Sequence, residues 1–224
     1  MDVLFTDWQT SGKGRAGRKW TAEKGETAAF SIVLKSVPPK AVRIIPHIMG
    51  LSVAEALENL VQIETGLKWP NDVIALISQD KINAGKKICG ILCESVTTGN
   101  STDLVAGAGI NILQSEESFV RTGLPWAASV FSVTQKRIAP IETVKSVFNA
   151  FVSLYESVKT YGFTAVKDRY SARCVTLNKD ILVNGERAYA RAITDDGELL
   201  CDFINETRAV TASEVSVRGL YGYI

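Results

Sequence analysis

The sequence predicts an α+β fold in which a mixed β-sheet, with helices on one face, is followed by a small β-domain. Short apolar segments with strand-like patterning fill much of the first half of the chain, and a helix with one apolar stripe interrupts them. Towards the C-terminus the pattern changes to short strands separated by tight turns. We therefore expect a larger domain over residues 1–173 and a smaller one over residues 174–224.

Six segments of the larger domain are predicted strands, because each is apolar or alternating and is bounded by turn residues. They cover residues 3–8, 27–35, 66–69, 73–77, 87–97 and 104–113. The polar segment 78–86 lies between two of these strands and is predicted to be an exposed hairpin tip. Residues 114–135 lack a clear period, and we predict an irregular segment there.

Three segments are predicted helices. Residues 42–60 carry apolar side chains at every third or fourth position, and Pro46 lies near the start, where proline is tolerated. A long helix is predicted to begin after Pro140 and to end at Gly162, and a shorter helix covers residues 164–172.

The C-terminal part of the chain predicts a small β-barrel. Asn184-Gly185 and Asp195-Asp196-Gly197 are hairpin-turn signals. The predicted strands around them cover residues 175–177, 181–183, 187–193, 199–204 and 214–218. So short a segment buries little apolar surface by itself, and we expect the barrel to pack against the larger domain.

Composition excludes several classes of function. The 224 residues are 46% hydrophobic and 22% charged, and their formal net charge of +1 argues against nucleic-acid binding. The sequence shows neither a secretion signal nor an apolar run of membrane-spanning length. We therefore expect a cytoplasmic protein that does not contact membranes.

The four cysteines could in principle pair or bind a metal. Cys89 and Cys93 lie four residues apart in a predicted strand, which places them on one face at a separation of about 13 Å. That distance is too long for a disulfide, and we predict reduced core thiols.

The single histidine, His47, falls within the predicted helix 42–60 and is expected on the helix surface. A Ser-His-Asp or Cys-His mechanism would have to use it, and nothing nearby resembles a nucleophile elbow. These mechanisms are therefore disfavoured.

Residues 9–20 read QTSGKGRAGRKW, with three glycines and four cations in twelve positions. Glycines allow the backbone to approach a ligand closely, and the cations surround it with positive charge. The segment therefore predicts an anion-binding loop, and the alternative is a solvated basic hairpin.

Two phosphate-binding motifs come close to this segment. Gly12, Gly14 and Gly17 satisfy G-x-G-x-x-G, but the motif must open a helix and here a strand is predicted to follow. A Walker A loop needs Lys and then Ser or Thr after Gly17, whereas the chain has Arg18 and Lys19. Neither motif explains the loop.

Three further segments follow the basic loop. They read KWPND at residues 68–72, KICGILCE at residues 87–94 and GAGIN at residues 107–111. In this order and at these separations, the four segments closely resemble the catalytic domain of biotin protein ligases, with motifs GRGRRGR-x-W, KWPND, K-x-x-G-I-L-x-E and G-x-G-I-N. The resemblance covers about residues 6–222 and implies a biotin/lipoate ligase-like catalytic domain followed by an SH3-like β-domain. Some of these ligases have a DNA-binding repressor domain with a helix-turn-helix segment, and the sequence shows no such segment before the basic loop.

The resemblance implies an enzyme that uses ATP with Mg²⁺. Such ligases join the carboxylate of biotin to ATP, which forms biotinyl-5′-AMP and pyrophosphate, and then transfer biotin to a lysine of a biotin carboxyl carrier protein. Two anions meet in the first step, so preorganised cations must offset their repulsion. The implied partners are biotin, ATP and the carrier domain of a carboxylase.

The resemblance also implies a role for individual residues. The implied catalytic residues are Lys87, which would bridge the acid and the adenylate, and Arg15. The implied biotin contacts are Gln9, Gly12, Lys13, Gly14, Arg15, Lys87, Gly90 and Gly107. The implied ATP or adenylate contacts are Arg15, Arg18, Trp20, Lys68, Asn71, Asp72, Lys87 and Asn111. Asp72 would also assist Mg²⁺, and no other metal ligand is implied.

This sequence departs from the family pattern in the basic loop. Lys13 and Ala16 stand where arginines are usual. Lysine lacks the bidentate fork of arginine, so closure of the loop is expected to be looser. Without the resemblance, Lys87 would be interpreted as a surface lysine, and Asn71 and Asp72 as turn residues.

Members of the family begin their catalytic domain with a strand and a helix that carry a Ser/Thr-Asn segment, which hydrogen-bonds the ureido ring of biotin. Only residues 1–8 precede the basic loop here, so we expect weakened biotin binding and self-association, as a homodimer, over an uncovered sheet edge. Two alternatives remain open: a lipoate or octanoate ligase, and a degenerate biotin- or nucleotide-binding module with little turnover.

Overall fold

A six-stranded sheet forms the centre of the computed structural model, which describes residues 1–21, 23–77, 85–99 and 101–212 and the backbone of residues 217–219. The strands of the first part of the chain are β1 (Asp2–Thr6), β2 (Gly12–Lys13), β3 (Lys19–Trp20), β4 (Thr27–Val37), β5 (Thr65–Lys68), β6 (Asp72–Leu76), β7 (Gly85–Thr98) and β8 (Ser101–Asn111). Six of them pair antiparallel in the order β1-β4-β8-β7-β6-β5, and β2 pairs with β3 as a separate hairpin.

Helices cover one face of this sheet. They are α1 (Pro39–Val42), α2 (Ile45–Val61), α3 (Glu116–Arg121), α4 (Val130–Thr134), α5 (Pro140–Tyr161) and α6 (Thr164–Arg173). The long helices α2 and α5 pack against each other and against the sheet, where they bury alternate strand residues such as Ile32, Leu104 and Ala106. The residues between these, such as Ser31 and Gly107, line a cavity on the opposite face. The predicted α+β class, with helices on one face, is confirmed.

The hydrophobic period that predicted the long helix α5 corresponds to its buried face. Its buried stripe recurs at every third or fourth residue and consists of Thr143, Val144, Val147, Phe151, Leu154, Tyr155 and Val158. Burying one large apolar side chain contributes about 1.5–3 kcal/mol, so the stripe holds the helix on the core. Gly162 ends the helix at a φ of 74°, a conformation that favours glycine.

The prediction of an irregular segment at residues 114–135 is wrong, because α3 and α4 lie within it. Each helix is started by a serine: Ser115 Oγ accepts from the Ser118 backbone, and Ser129 forms a reciprocal capping box with Ser132. The helices span only six and five residues, too few to display a hydrophobic period.

The predicted hairpin tip covers residues 78–86. Of these, residues 78–84 lie outside the described residues, and Gly85 and Lys86 belong to β7.

His47 does not lie on the helix surface, as the sequence predicted, but is buried in α2 with 2% of its surface exposed. Its ring packs against Phe163 and Tyr170, with centroid separations of 5.6 and 4.8 Å. The error arose because the surroundings of α2 extend beyond the face that packs on the sheet, to α6 and to the turn at Gly197. Burial lowers the pKa of His47 to about 4.

The C-terminal sheet is antiparallel, and its strands are β9 (Lys179–Val183), β10 (Glu186–Ile193), β11 (Leu199–Asp202), β12 (Thr207–Val210) and β13 (Val217–Gly219), in the order β12-β11-β10-β9-β13. The predicted small β-domain is confirmed, and Asn184 and Gly185 make its first turn with φ of 52° and 91°. The predicted strand at 175–177 is wrong: the Val175 amide instead donates to the Leu67 carbonyl, because this segment continues pairing at the edge of the first sheet. Strand β12 was not predicted.

The C-terminal sheet packs against the larger part of the chain, as its size led us to expect. Trp69 has 1% of its surface exposed, and its indole Nε1 donates to the Gly197 carbonyl at 3.1 Å. The Trp69 amide donates to Thr176 Oγ1 at 3.0 Å. One continuous apolar core includes residues of both sheets. The proposed boundary between residues 173 and 174 stays a prediction.

The four cysteines are free thiols. Cys89 and Cys93 lie opposite Ile110 and Ala106 in the sheet and so share one face, as predicted. Burial raises the pKa of both thiols, that of Cys93 to about 12, which keeps them protonated and unreactive. In the described part of the chain, no helix has the length and apolar character needed to cross a lipid bilayer.

Burial of His47 predicts a pH-dependent stability. Its pKa is lowered from 6.5 to about 4 on folding, so between these values the unfolded chain binds a proton that the folded chain does not. This contribution is fully present above pH 6.5 and is lost as pH falls towards 4, with a total of about 3 kcal/mol. His47→Leu should remove it, which chemical denaturation at pH 4.5 and 7.5 would measure. If His47→Leu and the unaltered protein lose the same unfolding free energy between pH 7.5 and pH 4.5, the pH dependence does not come from His47.

Candidate active site

The basic segment folds as a short hairpin in front of the sheet. Gly12 pairs with Trp20 across β2 and β3, and the Gly14 amide donates to the Arg18 carbonyl at 2.7 Å. A single 3₁₀ turn reverses the chain, with Ala16 at a φ of 55°. β4 follows this hairpin rather than a long helix, which agrees with the rejection of the dinucleotide-binding motif.

A cavity of about 750 Å³ lies between this hairpin and the open face of the sheet. Its walls come from the hairpin, from β4, β7 and β8, and from the segment 118–127 that contains the end of α3. This volume falls within the range of small-molecule sites in proteins.

The structure brings most of the residues implied by the sequence resemblance to this cavity. The residues that line it are Gln9, Lys13, Gly14, Arg15, Arg18, Trp20, Asn71, Lys87, Gly90, Gly107 and Asn111. Gly12, Lys68 and Asp72 are not among the lining residues. Gly12 packs against the backbone of Trp20 and the side chain of Gln9. Lys68 is the last residue of β5, which is an edge strand of the sheet. The contacts of all these residues with ligands remain predictions.

A β-bulge turns Lys87 towards the cavity. Lys87 and Gly90 are three residues apart, which in a regular strand would place them on opposite faces. The pairing of β6 with β7 shifts by one residue here, since Val73 lies opposite Cys89 and Ile74 opposite Lys87. The extra residue, Ile88, is fully buried in the core, and Lys87 reaches the same face as Gly90.

Lys87 is held in place by an ion pair. Its Nζ lies 2.7 Å from Asp72 Oδ1, and the two side chains are only 16% and 15% exposed. The same Nζ lies 6.0 Å from the centroid of the Trp20 ring. On the backbone, the Lys87 amide donates to the Trp126 carbonyl, and the Lys87 carbonyl accepts from the Ala128 amide. Asp72 therefore acts at the cavity through Lys87 rather than by lining it.

Two glycines form the floor beneath Trp20. A Cβ atom at Gly109 would lie 2.5–2.8 Å from atoms of the indole, and one at Gly90 would lie 3.1–3.2 Å from Trp20 and the Lys87 side chain. Real Cβ atoms do not come as close as the first of these distances. The indole can lie flat on the sheet only because both positions lack a side chain.

Arg15 connects the hairpin to two other parts of the chain. Its guanidinium donates to Asn71 Oδ1 at 2.8 Å and to the Ala212 carbonyl in the C-terminal part of the chain. Asn71 is itself fixed, since its Nδ2 donates to the Ile91 carbonyl and its own carbonyl accepts from the Ile91 amide. Burial lowers the pKa of Arg15 from its ordinary value, and the nearby Asp72 opposes this shift.

Several cavity residues were not identified from the sequence. Gly109 could have been, because it alternates with Gly107 and Asn111 on one face of β8. Glu26, Gln114 and the segment around Trp126 carry no sequence signal, since their positions depend on how loops fold over the sheet. Within the described residues, no three His, Cys, Asp or Glu side chains are arranged to hold a metal ion.

Comparison with known proteins identifies relatives over nearly the whole chain. Residues 2–111 match the profile of the Biotin/lipoate A/B protein ligase family. The bifunctional ligase/repressor BirA of Bacillus subtilis is 26% identical over 96% of this chain, which spans 66% of that relative's length. The biotin--[acetyl-CoA-carboxylase] ligase of Paracoccus denitrificans is 27% identical, and the matched region covers 94% of this chain and 88% of that relative's length.

The fold is similar to that of solved ligases. The biotin protein ligase from Aquifex aeolicus, in complex with biotin and ATP, superposes with a TM-score of 0.79 at 27% sequence identity. The superposition covers 97% of this chain and 88% of that one. With the four sequence segments assembled around one cavity, these similarities show that the chain carries a domain of the biotin/lipoate A/B protein ligase family and shares the fold of biotin protein ligases.

Proposed function

We propose that the chain is an ATP-dependent biotin–protein ligase, which forms biotinyl-5′-AMP and transfers biotin to a lysine of a biotin carboxyl carrier protein. The observation that carries the proposal is the placement of Lys87: a bulge brings its ammonium to the cavity, beside the basic hairpin and above the glycine floor. The similarity to enzymes named as biotin ligases supports the choice of substrate.

The first step needs positive charge, because the carboxylate of biotin must approach the α-phosphate of ATP. Lys13, Arg15 and Arg18 line one side of the cavity, and Lys87 lies on the sheet side. Cations already in place stabilise the charge that develops on the α-phosphate and on the leaving pyrophosphate. Asp72 fixes the position of the Lys87 ammonium, so little reorganisation is required during the reaction.

The product of this step is a mixed anhydride that water would hydrolyse. Trp20 and Trp126 both line the cavity, and their apolar surface limits the access of water. In the second step the neutral amine of the carrier lysine attacks the acyl carbon, AMP leaves with the electron pair of the broken C–O bond, and the nitrogen gives up a proton to water as the amide forms.

Among the described residues, no group of side chains is arranged as a resident site for Mg²⁺. Asp72 is already paired with Lys87, and the described part of the chain holds no group of three potential ligands. Mg²⁺ typically keeps several waters and binds through substrate phosphates. We therefore expect the ion to enter with ATP, and no step above depends on a protein ligand to it.

The proposal predicts biotin-dependent exchange of pyrophosphate into ATP. Incubation with a biotin carboxyl carrier domain should also give a carrier that carries covalently attached biotin, detected by blotting or by intact mass. Lipoate and octanoate should not support exchange. Exchange with octanoate but not with biotin would show instead that the chain is a ligase for a linear acid.

Lys87→Ala should lower the rate of adenylate formation at least about a hundredfold while the protein remains folded, because one positioned stabiliser of developing charge is lost. Lys86→Ala is the matched control. Lys86 pairs with Glu116 at 2.6 Å in an exposed ion pair, which contributes little. Equal losses in both variants would mean that local positive charge matters rather than one placed ammonium.

Gly109→Ala should displace Trp20 and raise the KM for ATP at least about tenfold, because the new Cβ would lie 2.5 Å from the indole. Gly107→Ala is a control on the same strand, where the nearest atom, the Leu92 carbonyl oxygen, is 3.3 Å away. Steady-state kinetics at saturating biotin would measure both. An unchanged KM for ATP in Gly109→Ala would show that Trp20 does not contact the nucleotide.

A further inference from the structure

Trp69, in the turn between β5 and β6, is bonded at two points to the C-terminal part of the chain. Its indole Nε1 donates to the Gly197 carbonyl at 3.1 Å, and its backbone amide donates to Thr176 Oγ1 at 3.0 Å. Trp69 and Thr176 are buried, with 1% and 4% of their surface exposed. The two bonds therefore form in surroundings where water does not replace a lost partner.

The residues that follow Trp69 hold the two cations of the proposed reaction. Asn71 Oδ1 accepts from the Arg15 guanidinium at 2.8 Å, and Asp72 Oδ1 lies 2.7 Å from Lys87 Nζ. Both cations line the cavity. The position of each cation therefore depends on one side chain of this turn.

The turn leaves its residues little freedom to move independently. Lys68 pairs with Asp72 across β5 and β6, and residues 69–71 form the tip of the hairpin. Within the tip, the ring of Pro70 restricts the backbone φ between Trp69 and Asn71. A displacement of Trp69 is therefore carried to Asn71 and Asp72, and through them to the cations that they hold.

The acceptor for the indole lies in a turn that is itself fixed. Gly197 has a φ of 78°, and a Cβ atom there would lie 3.1 Å from Ile44 Cγ2 and 3.3 Å from His47 Cε1, both on α2. The Gly197 amide donates to the Thr194 carbonyl at 3.0 Å. The turn can lie so close to α2 only because this position lacks a side chain, and its carbonyl is thereby preorganised for the indole.

We propose that Trp69 is a positioning residue for adenylate formation, because its bonds to Gly197 and Thr176 set the position of the turn that holds both cavity cations. Trp69 does not line the cavity, so it acts through the turn rather than on a ligand. The reaction named here rests on the proposed function, whereas the path of contacts from Thr176 to Lys87 does not. A displacement of about 1 Å at the reacting groups costs about a hundredfold in rate, so hydrogen bonds remote from the cavity control the reaction.

The test uses variants that remove one hydrogen bond each. Thr176→Val nearly conserves the volume of the side chain but removes the acceptor of the Trp69 amide. It should lower kcat for biotin-dependent pyrophosphate exchange at least about tenfold, while the KM values for biotin and ATP stay within about twofold. Thr176→Ser retains the hydroxyl and should restore kcat. Trp69→Phe keeps an aromatic ring, removes the indole donor and should have the same effect as Thr176→Val.

A control variant separates positioning from a loss of stability. Val183 in β9 is 3% exposed, so Val183→Ala leaves a cavity in the core and should lower the midpoint of thermal unfolding. It leaves both bonds of Trp69 in place. At a temperature where every variant is folded, kcat should therefore be unchanged in Val183→Ala.

A second measurement reports the position of the Lys87 ammonium independently of catalysis. Brief acetylation with acetic anhydride, followed residue by residue with mass spectrometry, gives the labelling rate of Lys87 relative to that of Lys86. The Lys87 side chain is 16% exposed and paired with Asp72, whereas the Lys86 side chain is 31% exposed and lies in an exposed ion pair. Lys87 should label more slowly in the unaltered protein. This difference should shrink in Thr176→Val but not in Thr176→Ser or Val183→Ala.

The outcomes separate this inference from the proposed function. An unchanged kcat in folded Thr176→Val would overturn the inference, as would an equal loss of kcat in Val183→Ala. If thermal melting shows that Thr176→Val does not fold, Trp69→Phe decides in the same way. If the unaltered protein gives no exchange with biotin, the proposed function fails and the labelling decides alone. Faster relative labelling of Lys87 in the folded variant then supports positioning by Trp69, and unchanged labelling overturns it.

Discussion

The ion pair between Lys87 and Asp72 is the interaction on which the geometry of the cavity depends. Both side chains are largely buried, and a charge in such a place is tolerated only with a partner of opposite sign. The pair requires that Lys87 leave the regular alternation of β7, which the bulge at Ile88 allows. It also requires that Asp72 begin β6 directly after the turn that contains Pro70. The position of the ammonium is therefore determined by backbone pairing as well as by the side chain.

The C-terminal sheet contributes to the same geometry. The indole of Trp69 donates to the Gly197 carbonyl, and Trp69 lies only three residues before Asp72. On the other side of the cavity, the guanidinium of Arg15 donates to the Ala212 carbonyl. The KWPND turn and the basic hairpin are thus both bonded to connecting segments of the C-terminal part of the chain, at Gly197 and Ala212. Because these contacts use backbone carbonyls, the sequence of the smaller sheet does not reveal them.

The elements that the sequence predicted correctly are those whose signal is local and repeated. The stripe of α5 recurs over several turns, and the turn at Asn184-Gly185 needs only two residues of suitable conformation. The short helices α3 and α4 were missed because neither completes a hydrophobic period. His47 was misplaced because periodicity identifies the face that packs on the sheet, whereas α6 and the turn at Gly197 cover a further side of the same helix.

For the cavity, the sequence by itself determined the residue types and their order: a glycine-rich basic segment, the KWPND turn, Lys87 with Gly90, and the alternating glycines of β8. Each of these features lies within a short segment, where residues adjacent in sequence determine the local conformation. Only the tertiary structure decided that Lys87 reaches the cavity, that Gly109 supports Trp20, and that Glu26 and Gln114 line the cavity. The physical reason is that a bulge, a ring packed on glycine and a loop folded over the sheet all arise between residues that are distant in sequence.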